Sequence, residues 1–196
     1  MSSTSFQPSG VPRQHALSAA GFTLLELIIT LAISAVLIGL AVPSMKSFMG
    51  SSEISATSND FVHSLQTARS EAIKRAGPVG LCPSDNPLAD EPGCDATSYA
   101  NGWIVFFDAD GNGQRSAGEE LVVRSESRSA TFSFIPDTAF EQRIYFGESG
   151  SSINPAGVPL SGNIEIRLLG SDEQRIVRVA ANGRIATLDV DKTETP

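Results

Sequence analysis

The segment 108–119, DADGNGQRSAGE, places oxygen-bearing side chains at intervals that suit a metal ion. Positions 1, 3, 5, 7, 9 and 12 of an EF-hand-type loop would be filled by Asp108, Asp110, Asn112, Gln114 (through its carbonyl), Ser116 and Glu119. Gly113 stands sixth, where such loops turn sharply, and hard oxygen ligands at this spacing suit Ca²⁺. The spacing therefore makes calcium a possible cofactor of this chain.

A plain hairpin turn explains the same letters without a metal. WIVFF before the segment and ELVVR after it have the composition of strands, whereas EF-hand loops join two helices. Arg115 also stands where those loops have an apolar residue. Asp, Asn and Gly are favoured in tight turns for conformational reasons alone. The sequence favours the turn and keeps calcium as the alternative.

Two cysteines, Cys82 and Cys94, predict a single disulfide in an oxidising compartment. A zinc site needs three or four ligands, and no second Cys/His pair lies nearby in the sequence. The bridge would hold the intervening loop against a sheet, and a reduced pair in the cytosol is the alternative. Catalysis has little support, because His15 and His63 stand alone and no nucleophile elbow, Walker loop or HExxH motif is present. We expect a protein that is not an enzyme.

Arginines are frequent in the C-terminal part of a chain whose formal net charge is −8. Because the chain is acidic overall, DNA binding would need a local basic patch. The dipeptide Asn182-Gly183 predicts a two-residue type I′ hairpin turn. That turn would place Arg175 and Arg184 on one face and Arg178 on the other, with Val177 and Val179 facing the side of Ala186 and Leu188. The sequence favours solvated arginines and keeps DNA binding by Arg175, Arg178 and Arg184 as the alternative.

A long helix is predicted ahead of these candidate sites. Residues 22–42 are almost entirely apolar and number enough to cross a hydrocarbon core of about 30 Å. One carboxylate, Glu26, interrupts this run, and Pro43 predicts a bend after it. Beyond the proline an amphipathic pattern continues to AGP at 76–78. Its apolar face consists of Ile54, Phe61, Val62, Leu65, Ala68, Ala72 and Ile73.

The remainder of the chain has the composition of a β-rich domain. Candidate strands lie at 79–82, 102–107, 120–125, 131–135, 143–146, 163–169, 175–181 and 184–189, and 147–162 is predicted to be a loop. The predicted organisation is a leader (1–21), a transmembrane and assembly helix (22–42), an amphipathic helix (43–76) and a β-rich domain (77–196). The predicted fold class is therefore α+β, with a long N-terminal helix on antiparallel sheet.

The stretch GFTLLELIITLAI at 21–33 resembles the class III signal of type IV pilins and pseudopilins. The resemblance implies that prepilin peptidase cleaves between Gly21 and Phe22, that Phe22 is then N-methylated, and that subunits assemble through their N-terminal helices. A lone carboxylate costs about 2.5–3.5 kcal/mol in the membrane centre. We expect the new amine of Phe22 to meet Glu26, in the same chain or a neighbouring subunit. Snorkelling of Glu26 to the membrane surface is the alternative.

Four further stretches narrow the resemblance to the GspH/FimT group: NDFVHSLQTARSEAIKR (59–75), VGLC (79–82), GWIVFFDADGNG (102–113) and NGR (182–184). The group implies a type IV pilin-like fold and a single-pass protein of the bacterial inner membrane with its C-terminal domain in the periplasm. It also implies a minor pilin in the tip or priming complex of a type IV pilus, partnered by other pilins. The alternatives are a pseudopilin of type II secretion and a DNA receptor. In the GRxR motif of DNA-receptor members, Arg184 matches and Ala186 replaces the second arginine.

Overall fold

The computed structural model describes residues 21–126, 128 and 131–189. The chain divides into two compact units, Met1–Ser44 and Met45–Pro196. One helix, α1 (Leu24–Arg75), begins in the first unit and ends in the second, which confirms the predicted helix to within two residues at its start. The predicted bend at Pro43 stays a prediction, and the predicted leader lies outside the described residues apart from Gly21.

The second half of α1 buries the predicted apolar stripe. Its residues Ile54, Phe61, Leu65, Ala68 and Ala72 are fully buried, and Val62 is partly buried against the same core. Ile73 is a correction, because its side chain is half exposed and lies over Gly150 at the rim of the core.

The helix ends in a turn that satisfies its last carbonyl groups. The Ala76 N–H donates to the Ile73 oxygen, and the Gly77 N–H donates to the Ala72 oxygen. This is the Schellman pattern, which places one residue in the left-handed region. That residue is Ala76, with φ of 49°, although glycine is the usual occupant. The stop predicted from AGP at 76–78 is confirmed.

Nine strands form two antiparallel sheets in the second unit. They are β1 (Val79–Pro83), β2 (Trp103–Phe107), β3 (Leu121–Ser125), β4 (Phe132–Pro136), β5 (Ile144–Phe146), β6 (Ser152–Ile153), β7 (Gly162–Leu168), β8 (Gln174–Val179) and β9 (Ile185–Asp189). The first sheet has the order β3-β2-β1-β5-β6, and the second has the order β4-β7-β8-β9. All eight predicted strands are present. Strand β6 is an addition, because it lies inside the predicted loop 147–162.

Both sheets contribute their inner faces to one core with α1. Four aromatic side chains meet at its centre, where Phe61 of α1 lies 5.2 Å from Trp103 and 5.4 Å from both Tyr99 and Phe134, between ring centroids. The Trp103 Nε1–H donates to the Ser64 hydroxyl at 2.9 Å, which gives that buried serine a partner. The predicted α+β fold, a long N-terminal helix on antiparallel sheet, is confirmed.

The two sheets differ in how their outer faces are covered. The outer face of the first sheet is a second small core, formed by Cys82, Ile104, Phe106 and Tyr145 with Cys94, Leu121 and Ile153 packed against it. The outer face of the second sheet carries exposed apolar side chains instead, including Ile135 and Leu188. Among the residues that the structure describes, the first sheet is therefore covered on both faces, while the second sheet is exposed on its outer face.

The β8–β9 hairpin corrects the predicted type I′ turn. Val179 pairs with Ile185, and the Ala180 N–H donates to the Arg184 oxygen, so the loop has three residues, Ala181 to Gly183. Gly183 has φ of 76°, whereas Ala76 is the one non-glycine described with positive φ, so Asn182 lacks the conformation that type I′ requires. The added loop residue shifts the register by one and moves every side chain of β9 to the opposite face from that predicted.

Candidate functional site

The N-terminal segment places the predicted cleavage and assembly residues at the start of α1. Gly21, Phe22 and Thr23 precede the helix, and Glu26 is the acidic residue of its first turn. The Thr23 hydroxyl accepts a hydrogen bond from the Glu26 N–H at 3.2 Å, so Thr23 caps the helix. Sequence analysis did not single out Thr23, although Thr-Leu-Leu-Glu has the spacing of a capping box. The capped turn fixes how the backbone of Phe22 enters the helix.

The first half of α1 leaves its apolar side chains exposed among the residues that the structure describes. Its large apolar side chains from Leu24 to Ile38 are between 49% and 75% exposed, and Phe22 is 80% exposed. Exposure on this scale far exceeds what a monomer keeps in water, so this surface needs another apolar environment.

Among the described residues, no helix combines the length and hydropathy that crossing a membrane requires.

The loop 108–119 brings most of the predicted calcium ligands together. Carboxylate oxygens of Asp108, Asp110 and Glu119 lie within 4.8 Å of one another. Ser116 and Asn112 join them, because the Asn112 side-chain amide donates both to Asp110 at 2.7 Å and to the Ser116 hydroxyl at 3.0 Å. Gln114 is exposed, and its N–H donates to the Asn112 side-chain oxygen at 2.6 Å.

The same oxygens are already hydrogen-bonded within the loop. Asp108 accepts from the N–H groups of Asn112 and Gly113 and from the Tyr145 hydroxyl. Glu119 accepts from the N–H groups of Ala109 and Ser116 at 2.8 and 2.7 Å. Burial raises the pKa of the Asp108 carboxyl above its ordinary value. The geometry serves a hairpin turn without an ion, and calcium binding stays a prediction.

The predicted disulfide between Cys82 and Cys94 is present, with 5.5 Å between the two Cα atoms. It closes the loop 83–93 over the outer face of the first sheet. A second contact fastens the loop, since the Arg115 guanidinium, which is 5% exposed, forms an ion pair with Glu91 at 2.5 Å. Arg115, whose position does not fit the calcium-loop pattern, therefore joins the loop 108–119 to the loop 83–93.

The three candidate DNA-binding arginines separate in a different way from that predicted. Arg175 lies on the inner side of β8, where its guanidinium donates to the Ser55 hydroxyl of α1 at 3.2 Å. Arg178 pairs with Ala186 across the ladder and is exposed on the outer face. Arg184, also exposed, is opposite Ala180 and therefore falls on that same outer face. The predicted sharing of a face by Arg175 and Arg184 is wrong, because the three-residue loop shifts the register.

A junction that the sequence analysis missed joins the helix, the β5–β6 loop and the β8–β9 hairpin. Arg69 of α1 donates to the Gly150 oxygen at 2.9 Å and to the Asn182 oxygen at 3.4 Å. A Cβ atom at Gly183 would lie 1.8 Å from that Gly150 oxygen. Asn182 and Gly183 of the NGR stretch therefore have a structural role. Local sequence patterns could not predict these contacts, because the partners lie 81 and 113 residues from Arg69.

A family model described as "Type II transport protein GspH" matches residues 57–183 of the chain. The matched region runs from residue 57 of α1 through strands β1 to β8 and ends at Gly183, which is more than half of the chain. This chain belongs to the GspH family. A second model, the prokaryotic N-terminal methylation motif, matches residues 17–42 of the same GspH-family chain. The predicted resemblance to the GspH/FimT group is confirmed.

Solved structures similar to this GspH-family chain include two kinds of protein. The type IV minor pilin FimU of Pseudomonas aeruginosa (strain PAO1), in space group P21, is 19% identical with a TM-score of 0.49, over 76% of this chain and 96% of that one. The minor pseudopilin EpsH from the type 2 secretion system of Vibrio cholerae is 15% identical with a TM-score of 0.49, over 70% and 97%. A search of curated protein sequences finds no match.

Proposed function

We propose that this protein is a minor pilin that is built into the tip or priming complex of a type IV pilus. The observation that carries the proposal is that one chain contains both an N-terminal methylation motif and a GspH domain. A methylation motif ends in an apolar helix with exposed side chains, and a GspH domain follows it. A helix of this kind needs a bilayer first and other helices afterwards, which are the two environments of a pilin before and after assembly.

Glu26 has the central mechanistic role in this proposal. After cleavage, the amine of Phe22 is the new N-terminus, one residue before the Thr23 cap. The cap holds Glu26 in the first helical turn, so the carboxylate follows that amine by four residues in the sequence. A carboxylate among apolar helices is costly unless a cation meets it. Pairing with the amine of a neighbouring subunit would therefore select one axial register between packed helices.

Before assembly, we propose that residues 22–42 anchor the chain in the inner membrane and that residues 77–196 lie in the periplasm. The disulfide supports this location, because disulfides persist in the bacterial periplasm and are rare in the cytosol. Prepilin peptidase on the cytoplasmic side would process the leader, and other pilins would be the partners of the mature helix.

Two other functions keep specific support. A pseudopilin of type II secretion would use the same N-terminal chemistry, and the description of the matching family favours it. A DNA receptor is supported by Arg178 and Arg184, which share the open face of the second sheet, although the net charge of −8 opposes it. Gel shifts at low salt test the receptor function, since Arg184→Ala should weaken a true complex and its salt dependence.

The experiment that separates pilin from pseudopilin compares two outputs in one deletion strain. Surface pili are counted by electron microscopy, and enzymes exported by type II secretion are assayed in the medium. If the protein is a minor pilin, the deletion strain should have few pili and normal secretion, and the intact gene should restore the number of pili. Normal pili with defective secretion would show that the protein acts in the pseudopilus and not in the pilus. Normal pili together with normal secretion would reject both roles.

A further inference from the structure

Edge strands of the two sheets differ in how they resist pairing with another chain. Unpaired N–H and C=O groups at an edge recruit further strands unless the edge is short, bulged, charged or carries proline. Strand β6 has two residues, with Pro155 just beyond it. Strand β4 ends in Pro136, and β3 has a register shift opposite Val105 and Phe106 and carries the exposed Arg124. Three of the four edges therefore carry a protective feature.

Strand β9 is the fourth edge. Its one charged residue, Asp189, stands at its last position, and residues 185–188 have none of these features. It pairs with β8 on one side through an unbroken register over all five residues, and no described strand lies on its other side. Its sequence, Ile-Ala-Thr-Leu-Asp, contains no proline or lysine and is rich in residues that strands favour.

The hairpin geometry identifies which backbone groups face outward. The Gly183 N–H donates to the Ala180 oxygen, and the Ala180 N–H donates to the Arg184 oxygen. Since antiparallel pairs alternate between bonded and non-bonded, Ala186 and Leu188 direct their backbone groups to β8. The backbone groups of Ile185 and Thr187 therefore point away from the sheet.

Charge on the adjoining outer face indicates what would dock there. Arg178 and Arg184 lie on this face beside the apolar pair formed by Ile176 and Leu188. Neither arginine has an ion-pair partner among residues 21–126, 128 and 131–189. A complementary segment would carry carboxylates and apolar side chains. A second copy of the β8–β9 hairpin would bring its own Arg178 and Arg184 against the same two arginines, so complementarity favours a different chain.

We propose that the free edge of β9 receives an extended segment of a neighbouring, different subunit of the same filament, which joins the second sheet as a fifth strand. The inference rests on the proposed function, because it takes the partner from the assembled filament. Main-chain hydrogen bonds from Ile185 and Thr187 supply the attachment, and contacts of Leu188, Arg178 and Arg184 select a segment with apolar and acidic side chains.

The test uses the full-length protein in the cells that make it. A photo-crosslinking amino acid, p-benzoylphenylalanine, replaces Leu188, and the crosslinked product is identified by mass spectrometry. The blocking variant Thr187→Pro removes one outward N–H and leaves the bonds to β8 intact, and Thr187→Lys adds a charge at the edge. Thr187→Ser is the matched control, because it keeps the N–H and a hydroxyl. The melting temperature of each full-length variant, purified in detergent, is compared with that of the wild-type protein to separate blocking from unfolding.

We expect a crosslink from residue 188 to another pilin or pseudopilin, lowered about tenfold by both blocking variants and unchanged by Thr187→Ser. A crosslink that persists in both blocking variants overturns the strand addition, and so does a crosslink to DNA or to a second copy. The deletion strain distinguishes a failure of the proposed function from a failure of the β9 inference. If deletion leaves filaments and secretion normal, the proposed function fails, whereas impaired filaments without the expected crosslink reject the β9 inference alone.

Discussion

At the residue scale, the end of α1 concentrates two unusual local features. Ala76 occupies a left-handed conformation with φ of 49°, where an L side chain is strained. One residue earlier, Arg75 forms ion pairs with Glu71 at 2.9 Å and with Glu120 at 2.6 Å and lies over the Phe107 ring. These residues hold the helix end against the β2–β3 connection.

Replacing Ala76 by glycine should stabilise the protein. Glycine adopts positive φ without the penalty of a Cβ atom, so we expect Ala76→Gly to raise the free energy of unfolding by about 1 kcal/mol. Chemical denaturation of residues 45–196 measures the change. The matched control is Ala56→Gly at an exposed position inside α1, which should lower it by about the same amount. Loss of stability in both variants would contradict the strain at Ala76.

Replacing Arg75 by methionine should change how stability depends on pH. Hydrogen bonds from Arg75 lower the pKa values of Glu71 and Glu120 below their ordinary value of 4.5. Because these folded-state values are lowered, the pairs stabilise the fold above about pH 4.5 and lose that effect as the pH falls further. We expect Arg75→Met to lower the melting temperature at neutral pH, with the difference from wild type closing below pH 4.5. In Arg184→Met, which removes no ion pair of the described residues, any difference should not vary with pH. A constant difference for Arg75→Met would reject the account.

At the element scale, the junction of Arg69, Gly150 and Gly183 determines how the β8–β9 hairpin sits on the helix. Gly183 serves twice, as the left-handed residue of the hairpin loop and as the point where two backbones approach closely. The hairpin in turn carries the outer-face arginines and the free edge of β9. Its placement therefore controls both surfaces to which we assign partners.

Gly183→Ala should destabilise the domain more than an ordinary left-handed glycine does. Gly170 is the matched control, since its φ of 78° is close to the 76° of Gly183 and a Cβ atom added at Gly170 would meet no other atom within 4 Å. Strain alone should make Gly170→Ala cost about 1 kcal/mol. The contact with Gly150 should raise the cost of Gly183→Ala to about 3 kcal/mol. Equal losses in a denaturant titration would show that the close approach is unimportant.

Elements with strong local patterns were predictable from the sequence, and long-range choices were not. The apolar stripe of α1 and eight strands follow from periodicity, and the disulfide follows from having two cysteines. The hairpin register failed because Asn-Gly suits both a two-residue turn and a three-residue loop with a left-handed glycine. The contacts of Arg69 and Gly150 favour the second, and neither residue is near the turn in sequence. Strand β6, with two residues, is too short for any periodic pattern.

At the scale of the whole molecule, one end of α1 belongs to the core of a domain, whereas the other end exposes its apolar side chains. Every described core residue lies between Ile54 and Val179, whereas the side chains from Leu24 to Ile38 are exposed. The exposed apolar side chains of the helix need lipid or other helices. The GspH family membership and the methylation motif fit this division of roles. Assembly through the helix, with Glu26 choosing the register, is the central claim.

The most direct test follows this protein into sheared surface filaments when the deletion strain is complemented with Glu26→Ala. Removing the carboxylate should leave cleavage at Gly21 intact, because N-terminal sequencing should still begin at Phe22. We expect the mature variant to accumulate in the membrane fraction and to be nearly absent from the filaments, and we expect pili to be scarce. The wild-type gene should restore the protein to the filaments and the number of pili. Normal pili that contain the Glu26→Ala protein would contradict the pairing of Glu26 with the Phe22 amine and the account of assembly built on it.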